Sequence, residues 1–352
     1  MCFNYHFYEI VLNERIGNMI REYISFPGLN IDWFGIKKSF PLFNSGKEIA
    51  WYGVIICVGI ILAVIYSMYR AKKENIRQDD VIDLAFFLVM FGIAGARLFY
   101  VIAEYDKTFV GSFKQIMYNI VSVWEGGLSI LGALIAGFVT ILVFCRVKKI
   151  NAFQMLDIVA PAVMIGQIIG RWGNFVNVEV YGLETTLPWR MGIHRCVLVG
   201  QTEDLHASGL CSGVESFVHP LFLYESLWNL LGFIVANLIF RKKKFNGQIV
   251  TFYFMWYGLG RLIFEGMRNE QYILQQGGIR ISQLIALAML LAGIALTVLL
   301  YVRAKKQTAA LIDGAFAPVE NSEATESEES VEEIVTDSDS NDNETDEKAE
   351  EK

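Results

Sequence analysis

Residues 155–179 read MLDIVAPAVMIGQIIGRWGNFVNVE, an apolar run that reaches Arg171 and then passes into asparagines and a glutamate. An arginine at mid-bilayer costs roughly 2.5–3.5 kcal/mol on insertion scales, so it persists only where partners or water compensate it. A second arginine, Arg261, lies in a comparable apolar stretch. The planar guanidinium fork suits a phosphate or a carboxylate. Two such groups in apolar segments indicate a site for an anionic lipid headgroup.

The composition excludes an ordinary soluble protein. Of 352 residues, 54% are hydrophobic and the mean hydropathy is +0.39. The net charge of −7 is uneven, because residues 311–352 hold 16 acidic and 2 basic side chains and therefore carry −14, which leaves +7 on the first 310. We expect an extracytoplasmic segment 1–49, a membrane domain 50–306 with an outer loop 172–219, and a disordered acidic cytoplasmic tail 307–352.

Seven segments are long and apolar enough to cross a bilayer as helices. The predicted spans are 50–69, 82–103, 126–145, 155–171, 220–240, 248–264 and 281–302. The fold class is therefore an all-α polytopic membrane protein. The fourth and sixth spans are short, and both end close to the two arginines.

Basic residues predict the orientation. Fourteen lysines and arginines follow spans one, three, five and seven, which places these loops in the cytoplasm, the N-terminus outside and the C-terminus inside. In segment 1–49, Trp33 and Phe34 are typical of an interfacial helix. A second short helix is expected near Lys114 and Tyr118.

The stretch after the fourth span holds candidate binding residues. Its glycines let the backbone approach a ligand closely. Arg171 would bind phosphate oxygens, Asn174 would donate a hydrogen bond, and Glu179 would orient the ligand or act as a base. The alternative is a structural arginine that extends to water beside the interfacial aromatics Trp172 and Tyr181.

A second group lies in the sixth span. Arg261, Glu265 and Arg268 are spaced to share one helical face, and two arginines against one glutamate leave a net positive charge for a bound anion. The alternative is a structural ion pair. Arg97, near the end of span two, is a third intramembrane cation.

The start of the fifth span adds polar side chains. Tyr224 and Glu225 lie about one turn inside it, where a carboxylate needs a partner such as Arg171 or Arg261. His219 precedes the span and is either a cap or interface residue or a participant in the site. In the first span, Tyr52 is either an interfacial aromatic or a phenol that enters the site.

Several classes are excluded by missing motifs. The sequence has no HExxH zinc motif, no GxSxG elbow and no P-loop. Five cysteines lack metal-ligand spacing, and Cys196 with Cys211 can be either a disulfide or two free thiols. We expect no metal, no organic cofactor and no nucleic acid partner.

From about residue 51 to 303, the sequence resembles the prolipoprotein diacylglyceryl transferase family of bacterial inner membranes. The stretch from Gly170 to Gly182 resembles the family signature, and the His219–Glu225 and Arg261–Arg268 groups follow in the family's order. The resemblance implies transfer of the diacylglyceryl group of phosphatidylglycerol to the lipobox cysteine of a preprolipoprotein, with release of glycerol 1-phosphate. Phosphatidylglycerol, lipobox-containing preprolipoproteins and the bilayer are the implied partners.

The resemblance also implies site residues. The expected catalytic residues are Arg171, Arg261, Tyr52 and Glu265. The expected phosphatidylglycerol-binding residues are Arg171, Asn174, Glu179, Gly182, Arg261, His219 and Tyr224. One position departs from the family, because Leu131 stands where many members have a histidine, and a leucine cannot accept a proton.

The residues by themselves support a clamp mechanism. A positive site lowers the pKa of an attacking thiol and stabilises charge on a leaving phosphate. Glu179, Glu265, Tyr52 and His219 remain alternatives for the base. Two other classes predict different behaviour: a channel or carrier for an organic anion would give flux without a covalent product, and a seven-helix receptor would need larger inner loops.

Overall fold

The computed structural model describes residues 20–41, 48–123, 126–197, 215–269, 275–276 and 279–315. Most of them are helical, which confirms a mostly helical protein. The chain divides into two compact units, 1–304 and 305–352, and every contact discussed below lies within the first. Of the predicted tail, residues 307–315 are the end of a helix, and the remainder lies outside the described residues.

Nine α-helices occur within these ranges. They are α1 (Trp51–Lys73), α2 (Gln78–Ala103), α3 (Tyr105–Thr108), α4 (Phe113–Val121), α5 (Ile130–Lys148), α6 (Ala152–Asn177), α7 (Leu221–Arg241), α8 (Gln248–Met267) and α9 (Ile281–Ala315). Six of them (α1, α2, α5, α6, α7 and α9) are long and apolar enough to cross a membrane within the described part of the chain. The remaining predicted span is the helix α8, which carries Arg261 and Glu265.

The fourth span is longer than predicted. The helix α6 begins after Asn151, whose side-chain oxygen accepts the backbone N–H groups of Phe153 (2.9 Å) and Gln154 (3.2 Å). It does not end at Arg171 but continues to Asn177, so the predicted start of the outer loop at residue 172 is wrong. Because an ion pair neutralises Arg171 inside the bundle, the arginine does not have to mark the end of the helix.

A four-stranded antiparallel sheet lies outside the helical segments, so the expectation of an all-α protein is wrong here. Its strand order is β2-β1-β5-β6, with β1 (Ile20–Phe26), β2 (Ile31–Gly35), β5 (Met191–Val197) and β6 (Glu215–Val218). Ile24 is opposite Ile193, so the N-terminal segment and the outer loop share one sheet. Two further antiparallel pairs are formed by β3 (Ser39–Pro41) with β4 (Glu48–Ala50) and by β7 (Gln275–Gln276) with β8 (Ile279–Arg280).

The expected interfacial helix of segment 1–49 is also wrong where the segment is described. Trp33 and Phe34 lie on strand β2, and Trp33 packs edge-on against His194, 5.6 Å between ring centroids. Ile24 and Ile193 belong to an apolar core under this sheet. The short helix expected near Lys114 and Tyr118 does occur, as α4.

Arg97 has a structural role. Its side chain is buried, and its donors are used by the last turn of α4 and by the connection from α4 to α5. It donates to the carbonyl oxygens of Asn119 (2.6 Å), Ile120 (3.1 Å), Gly126 (2.6 Å) and Gly127 (3.0 Å), and to Ser122 Oγ (3.2 Å). Arg97 therefore fixes a loop and is separate from the arginine cluster described below.

A buried carboxylate joins α6 to the start of α8. Asp157, fully buried on α6, accepts the backbone N–H groups of Gly247 (2.8 Å), Ile249 (2.9 Å) and Val250 (3.0 Å). Lys243 lies 3.5 Å from the same carboxylate. Free N–H groups at a helix start need acceptors. Asp157 supplies them from another helix and so fixes α8, which carries Arg261, relative to α6, which carries Arg171.

Candidate active site

Arg171 and Glu225 form the centre of the site. Arg171 lies six residues before the end of α6, and Glu225 lies one turn inside α7. The guanidinium contacts the Glu225 carboxylate directly, and their side chains are 21% and 7% exposed, respectively. The expectation that Glu225 would find an arginine partner is confirmed. This pair keeps an otherwise costly arginine stable inside a helix of membrane-spanning length.

Two further arginines approach the same carboxylate. Arg268 Nη2 lies 3.3 Å from Glu225 Oε1, and Arg261 Nη1 lies 4.0 Å from Glu225 Oε2. Glu265 on α8 lies 3.2 Å from Arg261 Nη2 and 3.8 Å from Arg268 Nε. We call these five residues, Arg171, Glu225, Arg261, Glu265 and Arg268, the arginine cluster. Three cations and two carboxylates give it a formal charge of +1, so it retains an attraction for an anion.

Several contacts within the arginine cluster are electrostatic but poorly aligned for hydrogen bonding. Glu265 Oε2 and Arg268 Nε are buried and lack an aligned hydrogen-bond partner in the described part of the chain. The other oxygen of Glu265 accepts the Ser282 hydroxyl at 2.5 Å. Guanidinium donors that are not fully engaged can turn to an incoming anion without losing strong bonds. The arrangement is therefore suited to bind a phosphate.

Asn174 and Glu179 interact directly at the end of α6. Asn174 Nδ2 donates to Glu179 Oε1 at 2.9 Å, and Asn177 Nδ2 lies 3.4 Å from the same oxygen. The intervening Val178 has φ +54°, a conformation that is strained for a β-branched residue. Within the described residues no cation pairs with Glu179, which distinguishes it from Glu225 and Glu265. Glu179 is thus the less neutralised carboxylate.

Gly182 lies where two backbone segments cross. Its N–H donates to the carbonyl oxygen of His219 at 3.0 Å, and it forms a bridge with Arg268. A Cβ atom at Gly182 would lie 2.6 Å from His219 Cβ and 2.9 Å from the carbonyl oxygen of Met267. No side chain fits here, so Gly182 holds the outer loop against the end of α8.

His219 and Tyr224 form a small polar group beside this crossing. The Tyr224 hydroxyl accepts the Trp189 indole N–H at 2.6 Å and lies 3.3 Å from His219 Nδ1. Burial lowers the pKa of His219 below its ordinary value of 6.5, because desolvation disfavours the charged imidazolium. His219 is therefore neutral at physiological pH.

The Tyr52 ring packs against the backbone of α6 at Gly173. A Cβ atom at Gly173 would lie 2.7 Å from Tyr52 Cδ2, so the phenol ring rests on the bare backbone two residues beyond Arg171. The Tyr52 side chain is 38% exposed. It lies beside the site and remains open to a ligand.

The structure therefore brings Arg171, Arg261 and Glu265 into one cluster, whereas Asn174 with Glu179, His219 with Tyr224, and Tyr52 make contacts of their own. It also adds two features that the sequence did not indicate, namely the contact of Arg268 with Glu225 and that of Trp189 with Tyr224. Leu131, at the position of the family histidine, is half exposed at the start of α5. The possible Cys196–Cys211 pair lies outside the described side chains.

The fold and the site define a helical integral membrane protein with a buried cationic cluster formed by three helices. A family model described as prolipoprotein diacylglyceryl transferase matches residues 41–299. The chain belongs to the prolipoprotein diacylglyceryl transferase family.

Similar curated proteins carry one name, phosphatidylglycerol--prolipoprotein diacylglyceryl transferase. The protein from Finegoldia magna is 38% identical over 77% of this chain and 96% of its own length. That from Listeria monocytogenes is 36% identical over 77% of this chain and 92% of its own. That from Streptococcus suis is 38% identical over 77% and 93%, respectively. The similarity therefore covers nearly the whole of these relatives.

Proposed function

We propose that this protein transfers the diacylglyceryl group of phosphatidylglycerol to the thiol of a lipobox cysteine in preprolipoproteins. The observation that carries the proposal is the arginine cluster, which has a formal charge of +1 and is formed by three apolar helices. Relatives that align over nearly their whole length are named for this activity. No cofactor takes part in the proposed reaction.

In this reaction, the cysteine sulfur forms a bond with the carbon of the diacylglyceryl group that carries the phosphate. The bond between that carbon and its phosphate oxygen breaks, and the phosphate leaves as glycerol 1-phosphate. The thiol proton passes to a base. Arg171 and Arg261 bind the phosphate and stabilise the negative charge that develops on the leaving oxygen. Arg268 adds a third positive charge to the same cluster.

Among the candidate bases, we propose that Glu179 accepts the thiol proton. Glu265 is already the counter-charge of Arg261 and Arg268, which both lie against it. Glu179 is held by the uncharged amides of Asn174 and Asn177 and has no paired cation among the described residues, so its carboxylate is not engaged in an ion pair. His219 is the alternative, since its lowered pKa keeps it neutral. Leu131 cannot serve.

The remaining site residues would position the lipid. Asn174 and Tyr224 offer polar groups beside the cluster, and Gly182 with His219 holds the outer loop in place. Tyr52 lies exposed against α6 and would contact the glyceryl part of the donor.

We further propose the orientation and location. The helices α1, α5 and α7 carry basic residues in their last turns, which supports a cytoplasmic position for those ends. With α8 as a seventh span, the N-terminus and the arginine cluster lie toward the outer side of a bacterial plasma membrane. The catalytic domain would then be the helical region 50–306.

The test is direct. Purified protein is incubated with phosphatidylglycerol and a synthetic lipobox peptide, and the peptide mass is measured. A mass increase equal to one diacylglyceryl group, absent from a peptide with serine in place of cysteine, is the expected result. Protein that instead moves organic anions across liposomes without a covalent product would contradict the proposal.

A further inference from the structure

A hydrogen-bonded pair, Gln167 and Tyr253, joins α6 to α8 at positions that precede the cluster arginines in each helix. Gln167, one helical turn before Arg171, donates from Nε2 to the Tyr253 hydroxyl at 2.9 Å. Tyr253 lies two turns before Arg261. Both side chains are partly buried, and each belongs to a helix that supplies one arginine to the phosphate site.

The hydrogen bonds of this pair are incomplete. Gln167 Oε1 is buried and has no partner in the described part of the chain. With the amide as placed, the Tyr253 hydroxyl accepts one bond, and its own proton is left without an acceptor among the described residues. With the amide oxygen and nitrogen exchanged, the hydroxyl would donate to Oε1 and the NH2 group would be left free. In either assignment a hydrogen-bond donor is unused between two apolar helices, and an unpaired buried polar group is costly.

The position of the pair indicates what would accept that donor. One helical turn is about 5.4 Å, and Gln167 is one turn deeper than the arginine that contacts Glu225. In a diacylglycerophospholipid, the ester carbonyl oxygens lie at a similar distance from the phosphate, on the side of the acyl chains. The helix surface at the preceding residue is open, because a Cβ atom added to Gly166 would meet no other atom within 4 Å.

We propose that Gln167 and Tyr253 bind an ester carbonyl of the donor lipid, so that the protein selects diacyl over dialkyl phosphatidylglycerol. This inference rests on the proposed function, because it takes the arginine cluster as the phosphate site. The transfer breaks a carbon–oxygen bond to phosphate and leaves both acyl linkages intact. A dialkyl ether donor is therefore chemically competent and lacks only the carbonyl oxygens.

The experiment compares transfer from diacyl phosphatidylglycerol and from its di-O-alkyl analogue of equal chain length. Wild-type protein is expected to favour the ester donor about three- to tenfold in kcat/KM, the range that one buried hydrogen bond supplies. Gln167→Leu and Tyr253→Phe should reduce that ratio toward one and leave transfer from the ether donor nearly unchanged.

A second phenol–amide pair provides matched controls. Tyr66 on α1 donates to Asn237 Oδ1 on α7 at 2.8 Å, away from the arginine cluster. Tyr66→Phe and Asn237→Leu make the same chemical changes and should leave the ester-to-ether ratio at its wild-type value.

Three results would overturn the inference. The first is a wild-type ratio near one, the second is a ratio that the Gln167 and Tyr253 variants retain, and the third is an equal loss with both donors, as expected of a cross-link that only supports the fold. Absence of product from the ester donor with wild-type protein would contradict the proposed function instead. In that case, competition of each lipid against fluorescent phosphatidylglycerol, with the same variants, still decides whether the pair recognises the ester.

Discussion

The Glu225 carboxylate on α7 binds the Arg171 guanidinium on α6, and its other oxygen lies 3.3 Å from Arg268 Nη2 at the end of α8. One buried acid thus joins three helices and neutralises part of a cationic site. Because Glu265 contributes the second negative charge, the cluster keeps a formal charge of +1 that a lipid phosphate can use.

Glu225→Gln should destabilise the protein and make it depend on anionic lipid. Removing the charge leaves three arginines against one carboxylate, and breaking a buried pair costs about 3–5 kcal/mol. Thermal unfolding in detergent should show a lower Tm, with phosphatidylglycerol raising the Tm of the variant more than that of wild type.

Glu74→Gln is the control for that experiment. It removes a carboxylate 2.6 Å from Lys243, remote from the arginine cluster. A lipid-dependent rise in Tm that is equal in both variants would contradict a specific phosphate site.

Glu179→Gln should slow transfer roughly 10²–10⁴-fold, the range for removing a general base, with little change in KM. The amide retains the size of the side chain and an oxygen that can accept from Asn174. Steady-state kinetics with the lipobox peptide test this. A near-normal rate in Glu179→Gln together with a large loss in His219→Gln would assign the base to His219.

The features of the candidate site differ in how far the sequence could predict them. Arg171, Arg261 and the need of Glu225 for a partner follow from charge inside apolar segments, and the structure brings them together. The contact of Arg268 with Glu225 depends on how α7 and α8 pack, which no local pattern contains. The sequence predicts that α6 ends at Arg171, because an unpaired arginine marks a membrane boundary, but the ion pair with Glu225 lets the helix continue to Asn177.

The outer sheet was missed for a different reason. Strands β1 and β5 pair over a long separation in sequence, and the aromatic residues of β2 are equally typical of an interfacial helix. The sequence identifies Arg97 only as a third cation in an apolar segment and does not indicate its role. Only the structure shows that its donors are occupied by carbonyl oxygens of the last turn of α4 and of the segment before α5.

Stability should decrease in acid through His219. Burial lowers its folded-state pKa, so below pH 6.5 the unfolded chain binds a proton before the folded chain does. The free energy of unfolding therefore falls as pH drops from about 7 toward the lowered pKa, and it does not change from this source above that range. In His219→Gln, Tm should depend less on pH between about 5 and 7, whereas an unchanged slope would contradict the assignment.

Asp157→Ala should impair transfer although Asp157 lies outside the arginine cluster. It removes the acceptor of three backbone N–H groups at the start of α8, a loss of about 1–3 kcal/mol, and frees the helix that carries Arg261. Tm and kcat/KM should both fall. Asp79→Ala, an exposed acid on α2, is the control and should change neither. Normal transfer by Asp157→Ala would show that this cap does not position Arg261.

The central claim is that Arg171 and Arg261 bind one lipid phosphate, and thioether formation in lysine variants tests it most directly. Arg171→Lys and Arg261→Lys keep the charge but lose the fork geometry, and each should reduce transfer about 10²-fold or more. Arg77 provides the control, because it is exposed and lies 3.3 Å from Asp79. The variant Arg77→Lys should behave as wild type. Near-normal thioether formation by both site variants would contradict the claim.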